Sequence, residues 1–263
     1  TTEIYTLSLH DALPIFKIDQ APEAQQSKKD SSDWMQGYCY QFWRCRNNGY
    51  RGDGAYGQYM IVLPDKDVVI AITSQTDNMQ KELNLVWEYL LPGIAEKKLH
   101  PDDNALSALR KRLSSLELPV YYKKSNSPLE KDISGKEYRF QSNENQLRRL
   151  MLELNDTLAV LHLSKGPADY TLNFGPAEWH YDITELPGPN LVPNKNIDTL
   201  RPFKVAGSYT WLDDNSIELT LRYIESPHTE TITCVFLDNK VGVSFKNMFT
   251  SKDDIKLIEG LLE

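Results

Sequence analysis

The C-terminal half of the chain consists of short segments in which apolar and polar residues alternate. From Tyr138 onward, turn residues separate these segments about every 8 to 12 positions, a spacing typical of an antiparallel sandwich or barrel. The clearest segment is Ile217 to Tyr223, whose alternation requires one buried face and one wet face. We therefore predict a mostly antiparallel β-barrel over residues 118–263, with tight turns at 155–156 and 238–239.

A smaller sheet is predicted nearer the N-terminus. Three segments rich in aromatic and β-branched residues predict an antiparallel meander: Gly37 to Arg44, Gln58 to Leu63, and Val68 to Thr73. Asp77 is placed to cap a helix over Met79 to Leu91, whose apolar residues recur at helical spacing. Its single broad apolar stripe predicts that this helix lies flat on the sheet.

Two further helices are predicted. One begins at 102 or 103 and ends before Pro119, and we interpret it as the connector between two differently patterned regions. The other is a short last helix that follows a capping box of Ser251 and Asp254 and continues to Leu262.

Composition narrows the classes of function. The net charge of −8 and the pI near 5.2 argue against a nucleic-acid partner, which requires a clustered surplus of Lys and Arg. Small-molecule or peptide substrates are the expected partners. No run of apolar residues is long enough to cross a bilayer, and no signal-peptide pattern opens the chain. The compartment and the oligomeric state stay open.

Cysteine and histidine spacing predicts no metal or cofactor. Three cysteines, Cys39, Cys45 and Cys234, are too few and too scattered for a disulfide framework or a zinc site. The five histidines lack the mutual spacing of metal ligands. We expect structural or surface roles for them.

The densest candidate for a binding loop runs from Asn48 to Pro64, NGYRGDGAYGQYMIVLP. Glycines at Gly52, Gly54 and Gly57 permit positive φ or close approach of the backbone to a ligand. A glycine-rich turn between two strands explains the same pattern equally well. The loop alone does not decide between these two interpretations.

With its flanks, this stretch resembles the third motif of the serine β-lactamase, penicillin-binding-protein and esterase superfamily, in a class C-like form. The matching positions are Gly57-Gln58-Tyr59, Val62 and Pro64, followed by an apolar strand and a helix. The resemblance covers roughly residues 34–94. It implies hydrolysis of an ester, amide or β-lactam through a serine acyl-enzyme.

The resemblance also implies a set of site residues. Asp53, or alternatively Arg51, stands where the family has its Lys or His, beside Gly54. The implied substrate-binding residues are Asp53, Gly54, Ala55, Gly57 and Gln58. The Ser-x-x-Lys and Tyr-x-Asn elements of the family are absent from the sequence. We therefore expect a C-terminal fragment of such a hydrolase, without its nucleophile and inactive alone.

These observations predict an α+β chain in four parts. Residues 1–33 comprise a string that resembles sequencing-adapter read-through (1–15) and a polar linker. Residues 34–100 form a residual antiparallel sheet with its closing helix, from a β-lactamase-like domain. Residues 101–117 form the connecting helix, and 118–263 a lipocalin-like accessory barrel that a Pro-rich loop interrupts at 186–202.

The alternative is a binding module of a different class. In this hypothesis the barrel holds an apolar ligand or a partner, and the N-terminal sheet is only support. Trp179, Trp211 and Tyr209 either line a cavity or fill the barrel interior. An open, apolar-lined barrel favours ligand binding, and a barrel packed solid contradicts it.

Overall fold

A computed structural model describes residues 27–189, 201–226 and 228–263. The chain divides into two compact units, residues 1–114 and 115–263, which are described separately. The string at 1–15, most of the predicted linker and most of the predicted Pro-rich loop lie outside the described residues.

From residue 27 onward, the N-terminal unit contains one antiparallel sheet of five strands in sequential order. The strands are β1 (Tyr38–Cys39), β2 (Phe42–Arg44), β3 (Tyr50–Gly54), β4 (Gln58–Leu63) and β5 (Val68–Ile72). The single strand predicted from Gly37 to Arg44 is wrong, because Tyr40 and Gln41 both adopt positive φ (50° and 67°) and turn the chain into a hairpin.

The predicted helix on this sheet is confirmed, with a different cap. Helix α1 spans Met79–Leu85, and the side chain of Asn78, rather than Asp77, accepts a hydrogen bond from the N–H of Lys81. The helix continues as a wide turn over Val86–Leu90. Its buried stripe packs on the inner face of the sheet, and this small core comprises Tyr59, Ile61, Leu63, Leu83 and Val86.

The helix predicted to begin at 102 or 103 forms as α2, Asp103–Ser114, and its role as a connector stays a prediction. Every residue of α2 is exposed, including Leu106, Leu109 and Leu113.

In its described residues, the C-terminal unit contains one short α-helix and ten strands. Helix α3 spans Glu130–Ile133. The strands are β6 (Glu137–Phe140), β7 (Leu147–Leu154), β8 (Ala159–Lys165), β9 (Ala168–Pro176), β10 (His180–Thr184), β11 (Phe203–Trp211), β12 (Ser216–Tyr223), β13 (His228–Leu237), β14 (Lys240–Asn247) and β15 (Ile258–Leu262).

Nine of these strands close into a barrel. Antiparallel pairing runs from β11 through β15, then from β6 to β9, and parallel pairing of β9 with β11 closes the ring. Strand β10 pairs with the first half of β11. The closure depends on Gly207, where an added Cβ would lie 2.2 Å from the carbonyl oxygen of Asn173. The predicted, mostly antiparallel β-barrel is therefore confirmed.

The predicted last helix is wrong. Residues 258–262 form β15, which bridges β14 and β6, and the predicted capping segment holds only a 3₁₀ turn at Lys252–Asp254. Strand pairing on both edges outweighs the helical spacing of the apolar residues. The predicted turn at 238–239 is confirmed, with Asp238 at a φ of 52° between β13 and β14.

Candidate functional site

The two ends of the barrel differ in chemistry. At one end, which we call the floor, α3 inserts the buried side chain of Ile133. The indole Nε1 of Trp211, which is fully buried, donates a 2.8 Å hydrogen bond to Oε1 of Glu130 on α3. The floor is therefore closed by apolar packing and a satisfied polar contact.

Side chains also fill the middle of the barrel. The inward residues of its strands form one contiguous apolar cluster, and many of them have no exposed surface, among them Leu150, Leu161, Phe174, Leu219, Leu221, Ile232 and Val243. Such packing leaves no room for a ligand at mid-height. A ligand site in the described part of the barrel must lie at the end opposite the floor.

That opposite end carries charged and phenolic side chains on the inward positions of its strands. We call it the polar end and define it by Lys165, Tyr170, Tyr223, Glu230 and Phe245. The ammonium Nζ of Lys165 on β8 lies 4.7 Å from the ring centroid of Phe245 on β14. Because β15, β6 and β7 separate these strands in the sheet, this contact crosses the lumen.

Glu230 is the residue that distinguishes the polar end. Glu230 lies on the same face of β13 as Ile232 and Cys234, the face that points into the barrel, and only 6% of its surface is exposed. Its carboxylate makes no hydrogen bond and no ion pair within 4.0 Å to any residue that the structure describes. Burial raises the pKa of Glu230, and the charge of Lys165 opposes that shift only in part.

Two tyrosines complete the polar end. Tyr223 is buried, and its hydroxyl donates a 3.2 Å hydrogen bond to the carbonyl of Leu186. Burial, and then the charges of Glu230 and Tyr170, raise the pKa of Tyr223. Its ring packs edge-on against Phe203 at 5.9 Å between centroids. The polar end therefore combines apolar walls with a carboxylate that has no donor in the described part of the chain.

The aromatic residues that sequence reasoning placed at a cavity have other positions. Tyr209 and Trp211 belong to the packed interior. Trp179 lies on the outside, where its ring stacks 5.5 Å from the guanidinium of Arg222 and its indole donates to the carbonyl of Leu118. None of these three lines the polar end.

Sequence reasoning missed the polar end, although the signal was present. In HTETITCVFL, the alternation that buries Ile232, Cys234 and Phe236 also places Glu230 inside. A charged residue at a core position of a strand is uncommon unless a partner or a function compensates it.

In the N-terminal unit, Arg51 and Asp53 pair with each other. Arg51 is fully buried, its Nε donates a 3.1 Å hydrogen bond to Oδ2 of Asp53, and its guanidinium lies 4.5 Å from the ring centroid of Trp34. Burial raises the pKa of Asp53, against the charge of Arg51. Arg51 also donates to the carbonyl of Asp33, a residue that the polar composition assigned to a linker and that is buried.

The other residues of the predicted loop form the turn from β3 to β4. Gly54 and Gln58 are paired across the two strands, and Ala55 is exposed between them. Gly57 has a φ of 93°, and an added Cβ would lie 2.2 Å from Oγ of Ser74. Their role as substrate-binding residues, and that of Asp53, stays a prediction.

The described residues contain neither a metal-binding cluster nor a membrane-spanning helix. No group of three or more His, Cys, Asp and Glu side chains among them is arranged to hold a metal ion. No described helix is long and apolar enough to cross a membrane.

Comparison with known proteins gives structural neighbours only. No family model and no curated protein matches the chain. The chain is similar to lipid binding protein 8 of Caenorhabditis elegans, with 12% identity, a TM-score of 0.36, and coverage of 52% of this chain and 99% of that one. It is also similar to fatty-acid-binding proteins of Drosophila melanogaster brain (13% identity, TM-score 0.33, coverage 50% and 98%) and of Manduca sexta (12%, 0.33, 50% and 98%).

The expected serine hydrolase of the β-lactamase and penicillin-binding-protein type is contradicted by these neighbours. They are lipid-binding and fatty-acid-binding barrels, and a β-lactamase-like origin of the N-terminal sheet is not supported. The prediction was wrong because it depended on a Gly-Gln-aromatic strand start, and so short a pattern does not specify a family. In this chain the tight turn from β3 to β4 accounts for it.

Proposed function

We propose that the barrel is a lipocalin-like ligand-binding module whose site is the polar end. The proposed ligand is a small, mostly apolar molecule that carries a hydrogen-bond donor, either an amine or a hydroxyl group. The observation that carries the proposal is Glu230, whose side chain is largely buried at the polar end and whose carboxylate has no donor among the described residues.

Desolvation of Glu230 gives the energetic reason for a ligand at the polar end. The side chain of Glu230 is largely buried, so its carboxylate loses part of its hydration, and this loss destabilises the fold unless a donor compensates it. A ligand donor at Glu230 satisfies the carboxylate, while the rings of Tyr223, Phe203 and Phe245 contact the apolar part of the ligand. Because side chains fill the middle of the barrel, the ligand is short or only partly inserted.

The test is a displacement assay with the apolar fluorophore N-phenyl-1-naphthylamine. Dodecylamine and dodecanol should displace the bound fluorophore, and dodecanoate should do so least, because its charge repels Glu230. Glu230→Gln should weaken dodecylamine binding about tenfold, the effect of losing one charge-assisted hydrogen bond.

The matched control is Glu218→Gln on the outward face of β12, which should leave binding unchanged. If no fluorophore binds, or if both variants bind dodecylamine as tightly as the wild type, the barrel does not use Glu230 to bind ligands.

A further inference from the structure

Helix α2 carries an apolar stripe that is exposed along its whole length. Leu106, Leu109 and Leu113 lie on one side of the helix, and 44%, 54% and 56% of their respective surfaces are exposed. An isolated helix of 12 residues is only marginally stable in water, and most helices in proteins are stabilised by burial of such a stripe. The stripe of α2 is therefore a candidate interaction surface.

The spacing of the three leucines is that of a seam between two helices. Steps of three and then four positions repeat the a and d positions of a heptad, which form the contact line of paired helices. A helix that packs on a globular core carries a wider stripe, with apolar residues at e or g as well. The e and g positions of α2 instead hold charged or small residues: Asp103, Ala105, Arg110 and Arg112. The narrow stripe therefore favours another helix as its partner.

The charges beside the stripe indicate which helix this partner is. Asp103 and Arg110 are seven positions apart, so they lie on the same edge of the stripe, near opposite ends of α2. Both are exposed, and neither forms an ion pair with a residue that the structure describes. In an antiparallel pair of α2 helices, Asp103 of each copy lies beside Arg110 of the other. A parallel pair instead brings the acidic ends together and the basic ends together.

We propose that α2 pairs through this stripe with α2 of a second copy of the chain, in antiparallel orientation. Leu106 of each copy packs against Leu109 of the other, and two ion pairs between Asp103 and Arg110 flank this centre. The surface is self-complementary, as a two-fold dimer requires. Because each copy contributes only about three turns of helix, the interface is smaller than the roughly 1,200 Å² of a stable complex. The dimer is therefore in exchange with the monomer.

The first test is sedimentation velocity of the full chain over a dilution series, which should show a monomer–dimer equilibrium. Leu109→Ala should weaken self-association at least about tenfold, because it removes a central contact. Alanine is the stronger helix former, so this variant keeps α2 itself. The control is Leu99→Ala, which changes a leucine that is 72% exposed and lies outside α2, and it should leave self-association unchanged.

The second test exchanges the two charges. Asp103→Arg and Arg110→Asp should each weaken self-association about tenfold, because each variant places like charges at both flanking contacts. An equimolar mixture of the two variants should associate as tightly as the wild type, since opposite charges then meet again. Docking of α2 within its own chain cannot produce this rescue. A chain that stays monomeric, a dimer that Leu109→Ala leaves intact, or a mixture without rescue would overturn the proposal.

Discussion

The indole Nε1 of Trp211 on β11 and the carboxylate Oε1 of Glu130 on α3 lie 2.8 Å apart, and this hydrogen bond fixes the floor of the barrel. The same oxygen accepts from the backbone N–H of Ser127, so that it holds the segment before α3 as well. The floor is thus a rigid closed end, opposite an end where a buried carboxylate has no donor among the described residues.

Removing the floor contact should destabilise the barrel. Trp211→Phe deletes the donor and leaves part of a buried volume empty, so we expect a loss of about 1–3 kcal/mol in the free energy of unfolding. Urea denaturation measures this loss. The control Trp179→Phe changes a ring on the outer surface and should cost clearly less; equal losses would mean that the floor contact contributes nothing specific.

Truncation of a side chain in the packed middle of the barrel should also destabilise the fold. Leu219→Ala should lower the free energy of unfolding by about 2–5 kcal/mol, because Leu219 is fully buried and its neighbours cannot collapse into the cavity. Leu237→Ala, at an exposed position at the end of β13, should change it by less than about 0.5 kcal/mol. A small effect of Leu219→Ala would indicate a loosely packed interior with room for a ligand.

The raised pKa of Glu230 predicts a pH-dependent stability difference. Since the folded state binds the proton more tightly than the unfolded state, the wild type should lose stability as the pH rises above the ordinary value of 4.5. Glu230→Gln does not titrate, so it should be more stable than the wild type at about pH 8, and this difference in stability should shrink toward pH 4.5. Urea denaturation of both proteins across this range tests the sign; a gap independent of pH contradicts it.

Asp33 should be a main contributor to the stability of the N-terminal unit. Its buried carboxylate accepts hydrogen bonds from Arg46, from Gln80 Nε2 at 2.7 Å and from Trp87 Nε1 at 3.0 Å. Burial alone raises the pKa of Asp33, but these bonds outweigh it and hold the pKa below its ordinary value. Asp33→Asn should therefore cost about 3–5 kcal/mol.

The readout for Asp33 is the unfolding of the N-terminal unit in urea, followed by the NMR amide signals of β3 and β4. Asp30→Asn is the control, because Asp30 is exposed and contributes only its backbone carbonyl to Arg46. Similar stability of both variants would show that the network around Asp33 is not needed.

The barrel was predictable because strand alternation is local. Apolar and polar residues alternate over the seven positions 217–223. In β12 the apolar residues of this segment are buried and the polar ones are partly exposed, as the alternation predicts. The last element was not predictable in this way. Ile258 and Leu262 fit a helix by spacing, but β14 and β6 offer unpaired edges, and Gly260 fits closely against the ring of Phe140.

The two most important polar residues differ in the same way, because the local sequence pattern predicts the burial of one and not of the other. Glu230 could be placed inside the barrel from the alternation of buried and outward residues in its own strand. Asp33 could not, because its partners Gln80 and Trp87 lie 47 and 54 positions away and its own neighbours are polar. Burial of that kind depends on tertiary packing, which the local pattern does not encode.

The side-chain carboxyl ¹³C shift of Glu230 during titration with dodecylamine shows most directly whether a donor on an apolar ligand reaches this residue. We expect a saturable change at Glu230 and none at Glu218, with a midpoint that matches displacement of the fluorophore. An unchanged Glu230 signal while dodecylamine binds would place the ligand elsewhere and rule out Glu230 as its partner.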